Sequence, residues 1–284
     1  MSKKYATLLE EAVPVPTEKG LKIREFFRTL LLSSISFTGR KNENCFLRCL
    51  YCHYVFDDQR EDFEAVLTEL RKIGKFIDTD TCVQMVQGTR EIDGKYFHLS
   101  FDDGFRNNYT NAFPILKKLS IPAIFFVPSA LISASYEDTK TYCLDTAKYG
   151  AVIEMMHWED LQEIRSIQGF EIGSHTRTHA RFSDISRNIS LLQSEICGSK
   201  TDLEKNLDFE CKYISWPFGC ISDVDEESLR MVMDCGYIAC FGAFRGSVKV
   251  GLTSVYSIPR HHFEAQWPIS HTKYFAYGNM ENRN

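Results

Sequence analysis

The chain is short of the features that mark whole classes of protein. Only eight of its 284 residues are proline and sixteen are glycine, too few for fibrous or low-complexity material. Near its start the longest apolar stretch is "TLLLSSISF" (29–37), far below the roughly 20 residues that a bilayer crossing needs. Basic residues are not in excess. Lys and Arg number 33 against 38 Asp and Glu, a net charge of -5, which offers no electrostatic footprint for nucleic acid. The opening "MSKKYATLLEEAVPVP" has two lysines but neither an apolar core nor a small-residue cleavage site, so a cytoplasmic chain is expected. Cysteine is the exception to this scarcity. The ten cysteines show no even framework spacing, and in that compartment they are expected as buried thiols or ligands rather than disulfides.

What the chain does have is an ordinary globular balance, 44% hydrophobic and 25% charged. Residues 1–45 read as an N-terminal extension. Within it, "LKIREFFRTLLL" (21–32) interleaves Lys22, Arg24 and Arg28 with apolar residues and predicts an amphipathic helix. Such a helix packs on the protein or makes peripheral contact with a membrane surface. From about residue 45, apolar strands alternate with amphipathic helices. "FLRCLYCHYV" (46–55), "KYFHLSF" (95–101), "IPAIFFV" (121–127), "FEIG" (170–173), "YISW" (213–216) and "YIACFG" (237–242) read as strands. Segments 61–74, 107–119, 158–167, 188–207 and 225–236 read as the helices between them. That order predicts an α/β fold of parallel strands and crossover helices, with chemistry at the carboxyl ends of the strands. The simplest division is one catalytic domain over 46–265, flanked by the extension and a C-terminal tail, 266–284.

The polar motifs fall at those strand ends. "HLSFDDGFRNN" (98–108) closes a strand with two neighbouring acids, Asp102 and Asp103. An Asp at such a junction can also cap a following helix. In "SHTRTH" (174–179), His175 and His179 are four apart; one helical turn would set their Cβ atoms roughly 5–6 Å apart. Two imidazoles with one carboxylate from the acid pair would hold a divalent metal and leave positions open for water and substrate. His53, "SWPFG" (215–219) and "IPRHHF" (258–263) complete the set. His98, His261 and His262 are expected to be structural or exposed, and Arg106 solvated.

"SFDDG", "GSHTRTH" and "WPFG", in this order, resemble the polysaccharide deacetylases of the carbohydrate esterase, NodB-homology type, over roughly residues 46–262. The resemblance implies a distorted (β/α) barrel and metal-dependent removal of N-acetyl groups from an amino sugar or glycan. It assigns Asp103, His175 and His179 to the metal and Asp102 to the general base. "CLYCHYVFDDQREDFEAVLTELRK" resembles the opening of a permuted branch, in which His53 protonates the leaving amine; that branch usually has tyrosine where Cys52 stands. "ISWPFG" implies an oxyanion donor in the Phe218 main chain and a sugar site walled by Trp216 and Pro217. Other members carry an arginine in this motif, tethering the base. Ser215 stands there, so Arg260 is the expected replacement. The expected cofactor is a single divalent ion, zinc before iron, cobalt or nickel. The absence of a leader points to a cytoplasmic precursor of a surface glycan as substrate. Oligomeric state is not read from these residues.

A rival pattern lies in "CFLRCLYC". Cys45, Cys49 and Cys52 have the spacing of a radical S-adenosylmethionine iron–sulfur cradle. Strand alternation would turn Cys52 away from the other two, and no glycine-rich cofactor turn follows. A non-catalytic glycan-binding relative is the remaining alternative.

Overall fold

The computed structural model describes residues 4–13, 44–279 and 281, so the helix expected over 21–32 lies outside the described residues. Its frame is an eight-stranded sheet: β1 Phe46–Cys52, β2 Lys75–Ile77, β3 Lys95–Phe101, β4 Ala123–Val127, β5 Phe170–Ser174, β6 Tyr213–Ser215, β7 Ala239–Phe241 and β8 Arg260–His262. The strands run β7-β6-β5-β4-β3-β1-β8, with β2 also paired to β3. Every paired neighbour is parallel. The open edges meet. Phe241 bridges Ile258, Gly242 N–H donates to the Ile258 carbonyl at 2.9 Å, and Arg260 N–H donates to the Phe244 carbonyl at 3.0 Å. The sheet therefore nearly closes into a (β/α) barrel with helices around it.

Strand alternation sorts the core into two layers. Leu47, Cys49, Ile124, Phe126, Ala239, Phe241 and Ile258 pack together inside the barrel. Leu50, Cys52, Leu99, Phe101, Phe125, Val127 and Ile172 face outward, onto the helices Arg60–Arg71, Phe113–Leu119, Trp158–Ser166 and Ile189–Leu207. Cys49 and Cys52 consequently lie on opposite faces, and Cys45 is exposed. The three cysteines of the rival motif do not converge.

One expectation is corrected here. One cysteine pair is bridged: Cys197, on the helix Ile189–Leu207, joins Cys235 just beyond the helix Glu226–Asp234. The spacing of 38 residues carried no signal for this. Their Cα atoms come within 5.3 Å because the two helices pack side by side. The segment after 265, read as a C-terminal tail, carries a helix. Its helix Ile269–Ala276 packs on Arg60–Arg71, with Lys273 Nζ donating to Glu69 at 2.6 Å. Further on, Glu281 accepts from Arg48 and pairs with His261.

At the carboxyl end of the barrel a third cluster forms a rim. Tyr54, Phe56, Phe105, Tyr142 and Ile153 pack with Ala12 from the N-terminal segment. Ala6 N–H donates to the Val152 carbonyl, and Gly150 N–H to that of Ala12. Residues 4–13 thus belt the loop that overhangs the strand ends. Among the described residues no helix is long and apolar enough to cross a membrane.

Candidate active site

Adjacent residues on a strand face opposite ways, so Asp102 and Asp103 should not share a site. The backbone resolves this. β3 sends Ser100 and then Asp102 into the barrel mouth, and Asp103 then takes φ 69°, followed by Gly104 at φ 72°. The left-handed turn brings the second carboxylate back toward the first. The turn must also be tight, because a Cβ on Gly104 would lie 3.2 Å from Val127.

Asp103 Oδ1 lies 3.5 Å from His175 Nε2 and 3.2 Å from His179 Nε2. His175 follows β5, and its Nδ1 faces the Ser215 carbonyl at 2.7 Å. That contact puts the proton on Nδ1 and leaves the Nε2 lone pair free toward Asp103. One ligand atom from each of the three residues lies within 4.8 Å of the others. All three side chains are buried, and His179 Nδ1 has no hydrogen-bond partner among the described residues. A carboxylate and two imidazoles converging on one point, with one nitrogen oriented by a carbonyl, fit a divalent cation.

The two histidines do not sit on a helical turn. They bracket an irregular loop in which Thr176 and His179 both have positive φ, 62° and 66°. Glu195, from the helix Ile189–Leu207, holds it: its buried carboxylate accepts from Arg177 N–H, Thr178 N–H and the Thr178 hydroxyl at 2.8–3.0 Å. Four of the eight non-glycine residues with positive φ among the described ones are Asp103, Thr176, His179 and Phe218. At ~1–3 kcal/mol each, such strain persists where the surroundings fix it.

Asp102 is not a helix cap. Its two oxygens each accept from Arg260 at 2.7 Å, and Arg260 Nη2 also donates to Ser215 Oγ at 2.6 Å. Arg260 lies in β8 itself and is fully buried. Burial pushes the Asp102 carboxyl up, but the charges of Arg260 and His175 outweigh it and hold it below the usual carboxylate range. Burial opposes ionisation of Asp103 too; the adjacent His175 and His179 imidazoles outweigh it, leaving that group well below the ordinary value.

His53 follows β1. Its ring stands edge-on to Tyr51, at 5.4 Å, and to His262, at 5.2 Å, while its carbonyl accepts from Asn108 Nδ2 at 2.8 Å. The outward turn of Cys52 explains how the expected tyrosine can be absent at that position: the aromatic wall is Tyr51, one residue earlier. A pocket of about 210 Å³ brings His53, Asp102, Asp103, His175, His179, Trp216 and Phe218 together. Pro217 is buried and does not line it. Trp216 does, but only edgewise: it is 1% exposed, its Nε1 donates to the Cys220 carbonyl, and Phe244 stacks on it. The open aromatic surface belongs to Phe218, which lines the pocket, is 40% exposed and has a φ of 64°. The Phe218 N–H makes no hydrogen bond among the described residues.

Sequence reasoning missed Tyr149 and Ala147, which line the pocket, and Tyr142, whose ring lies 5.4 Å from that of His179. They come from an excursion between β4 and the helix Trp158–Ser166 that has no clear period. The recurring tyrosines of "TYCLDTAKYG" were the available signal.

A nearly closed parallel barrel thus carries, at the carboxyl ends of its strands, a carboxylate–histidine–histidine cluster that could hold a metal ion, beside an arginine-held acid. Residues 89–239 match the family model for polysaccharide deacetylase, and the chain belongs to that family. The Bacillus subtilis (strain 168) protein YxkH, which carries the polysaccharide deacetylase name, is 25% identical over 179 residues. The match covers 63% of this chain and 56% of that relative. Among solved structures, IcaB from Ammonifex degensii superposes with a TM-score of 0.68 at 21% identity, covering 83% of this chain and 98% of its own. The Streptococcus pyogenes deacetylase PplD, solved in complex with acetate, gives 0.65 at 16% identity, covering 81% and 97%.

Proposed function

We propose that this chain is a metal-dependent N-deacetylase acting on an N-acetylated amino sugar, free or within a glycan or its precursor. The observation that carries the reading is the arginine-forked Asp102 in the same pocket as the Asp103–His175–His179 cluster. Zinc is the proposed ion, since catalytic zinc sites use such donors. When bound, it would supply Lewis acidity and a water of lowered pKa.

The protein's own groups account for the remaining steps. Asp102, kept ionised by Arg260, takes the proton of the attacking water. The water oxygen bonds to the acetyl carbon, and the Phe218 N–H meets the oxygen that gains charge, a contact typically worth ~3 kcal/mol. As the carbon–nitrogen bond breaks, His53 gives a proton to the departing nitrogen. Acetate and a free amine result. Phe218, Tyr51 and Tyr149 form the aromatic wall against which a sugar ring would lie.

The test is acetate release from a panel of N-acetylated monosaccharides, nucleotide-linked and lipid-linked sugars, and glycan oligomers, with and without chelator. Asp102→Asn is expected to keep its metal and lose roughly 10²–10⁴-fold in kcat. No acetate from any member by metal-replete protein, or an unimpaired Asp102→Asn, overturns the reading.

A further inference from the structure

The barrel has a second polar end. Cys49 on β1 stands directly opposite His98 on β3 in the parallel register, both side chains pointing into the barrel. Cys82 reaches them from the helix Thr79–Gln87, which lies across the amino-terminal mouth. The two sulfur atoms are 3.6 Å apart, and one ligand atom from each of Cys49, Cys82 and His98 lies within 4.8 Å of the others. None of the three is more than 1% exposed. His98 Nε2 contacts the Thr79 hydroxyl at 3.2 Å, its ring stacks on Phe241, and its Nδ1 has no hydrogen-bond partner among the described residues.

We infer that Cys49, Cys82 and His98 form a second metal site, for one soft divalent ion, zinc in particular, and that it serves structure rather than catalysis. Three features support this. With zinc–sulfur bonds near 2.3 Å, two thiolates on a tetrahedral ion stand about 3.8 Å apart, close to the separation found. Sulfur with imidazole selects zinc over magnesium, calcium or manganese. And a fully buried imidazole nitrogen without a partner is a costly feature that a metal bond would remove. Glu171, whose buried Oε2 has no hydrogen-bond partner among the described residues, lies near Thr79 and His98 at the same end of the barrel.

The site is separate from the catalytic pocket. Asp102 is four residues beyond His98 on the same strand face, roughly 13 Å at the usual rise of a strand. Binding would release the two thiol protons to solvent and tie β1, β3 and the helix Thr79–Gln87 together.

The experiment uses full-length protein with the Cys197–Cys235 bridge intact and Cys49 and Cys82 as free thiols, stripped of metal and reloaded with cobalt(II). Thiolate-to-cobalt charge transfer in the near ultraviolet reports this site alone, because the catalytic cluster has no sulfur. The band is expected in wild type and in Asp103→Asn, and is expected to vanish in Cys82→Ser. With zinc, Cys82→Ser should drop from two tightly held equivalents to one while its acetate release stays within about twofold of wild type. If that variant fails to fold, zinc X-ray absorption on Asp103→Asn decides, with sulfur neighbours expected near 2.3 Å. Absence of the band, or of sulfur around zinc, overturns the inference. Neither readout depends on acetate release, so the second site stands or falls independently of the deacetylase reading.

Discussion

Arg260 takes its meaning from what it faces. It is fully buried and spends its fork on Asp102, with a further bond to Ser215. Removing one partner of such a pair leaves a buried charge uncompensated, at ~3–5 kcal/mol. Arg260→Met is therefore expected to lower the free energy of unfolding by about that amount in urea titration, and Arg260→Lys to recover only part of it, because an ammonium cannot reproduce the fork. His262 presents the opposite case. Burial and the neighbouring His53 and Arg245 push its imidazole down to about 3, against the pull of Asp102. A histidine depressed in the folded state stabilises above its unfolded pKa, and that stability is lost as pH falls from about 6.5 toward 3. His262→Asn should flatten the acid side of the stability–pH curve, read from unfolding at successive pH values.

At the scale of elements, the strand pattern was legible where period and burial agree. The reading of β3 as 95–101 has its observed bounds, and the helix read over 61–74 lies at Arg60–Arg71. β2 and the helix Thr79–Gln87 were not seen, because "TDTCVQMVQ" mixes β-branched and polar residues without a clean apolar face. The HTRTH spacing located two converging imidazoles but suggested the wrong backbone. Positive φ at threonine and histidine leaves no mark in composition; it is imposed by Glu195, 16 residues beyond His179. Glu195→Ala should free the Arg177 and Thr178 amides and lower metal affinity about 10–100-fold, measured by competition with a chromogenic chelator. Arg260 was found through a gap, since Ser215 occupies the place where an arginine was expected. Nothing comparable pointed to Cys82 as the neighbour of Cys49, because a helix packed across a barrel mouth brings together residues with no common period.

For the whole molecule, closure is the organising fact. His53, the acid pair, His175, Phe218 and Arg260 come from the ends of five different strands, so their geometry exists only once the edges meet. The Cys197–Cys235 bridge reinforces the outer helices rather than this seam. By loop-closure entropy a link over 38 residues contributes roughly 3–4 kcal/mol. Reduction should lower the unfolding midpoint accordingly, with acetate release by the still-folded protein little changed.

Asp102 precedes its guanidinium partner by 158 residues. At roughly 5–20 residues per second, a growing polypeptide carries the acid for about 8–30 s before the counter-charge has been made. Throughout that interval the acid lacks its guanidinium partner. Arrival of the closing strand supplies that counter-charge, so a chain arrested before it is expected to be unstable.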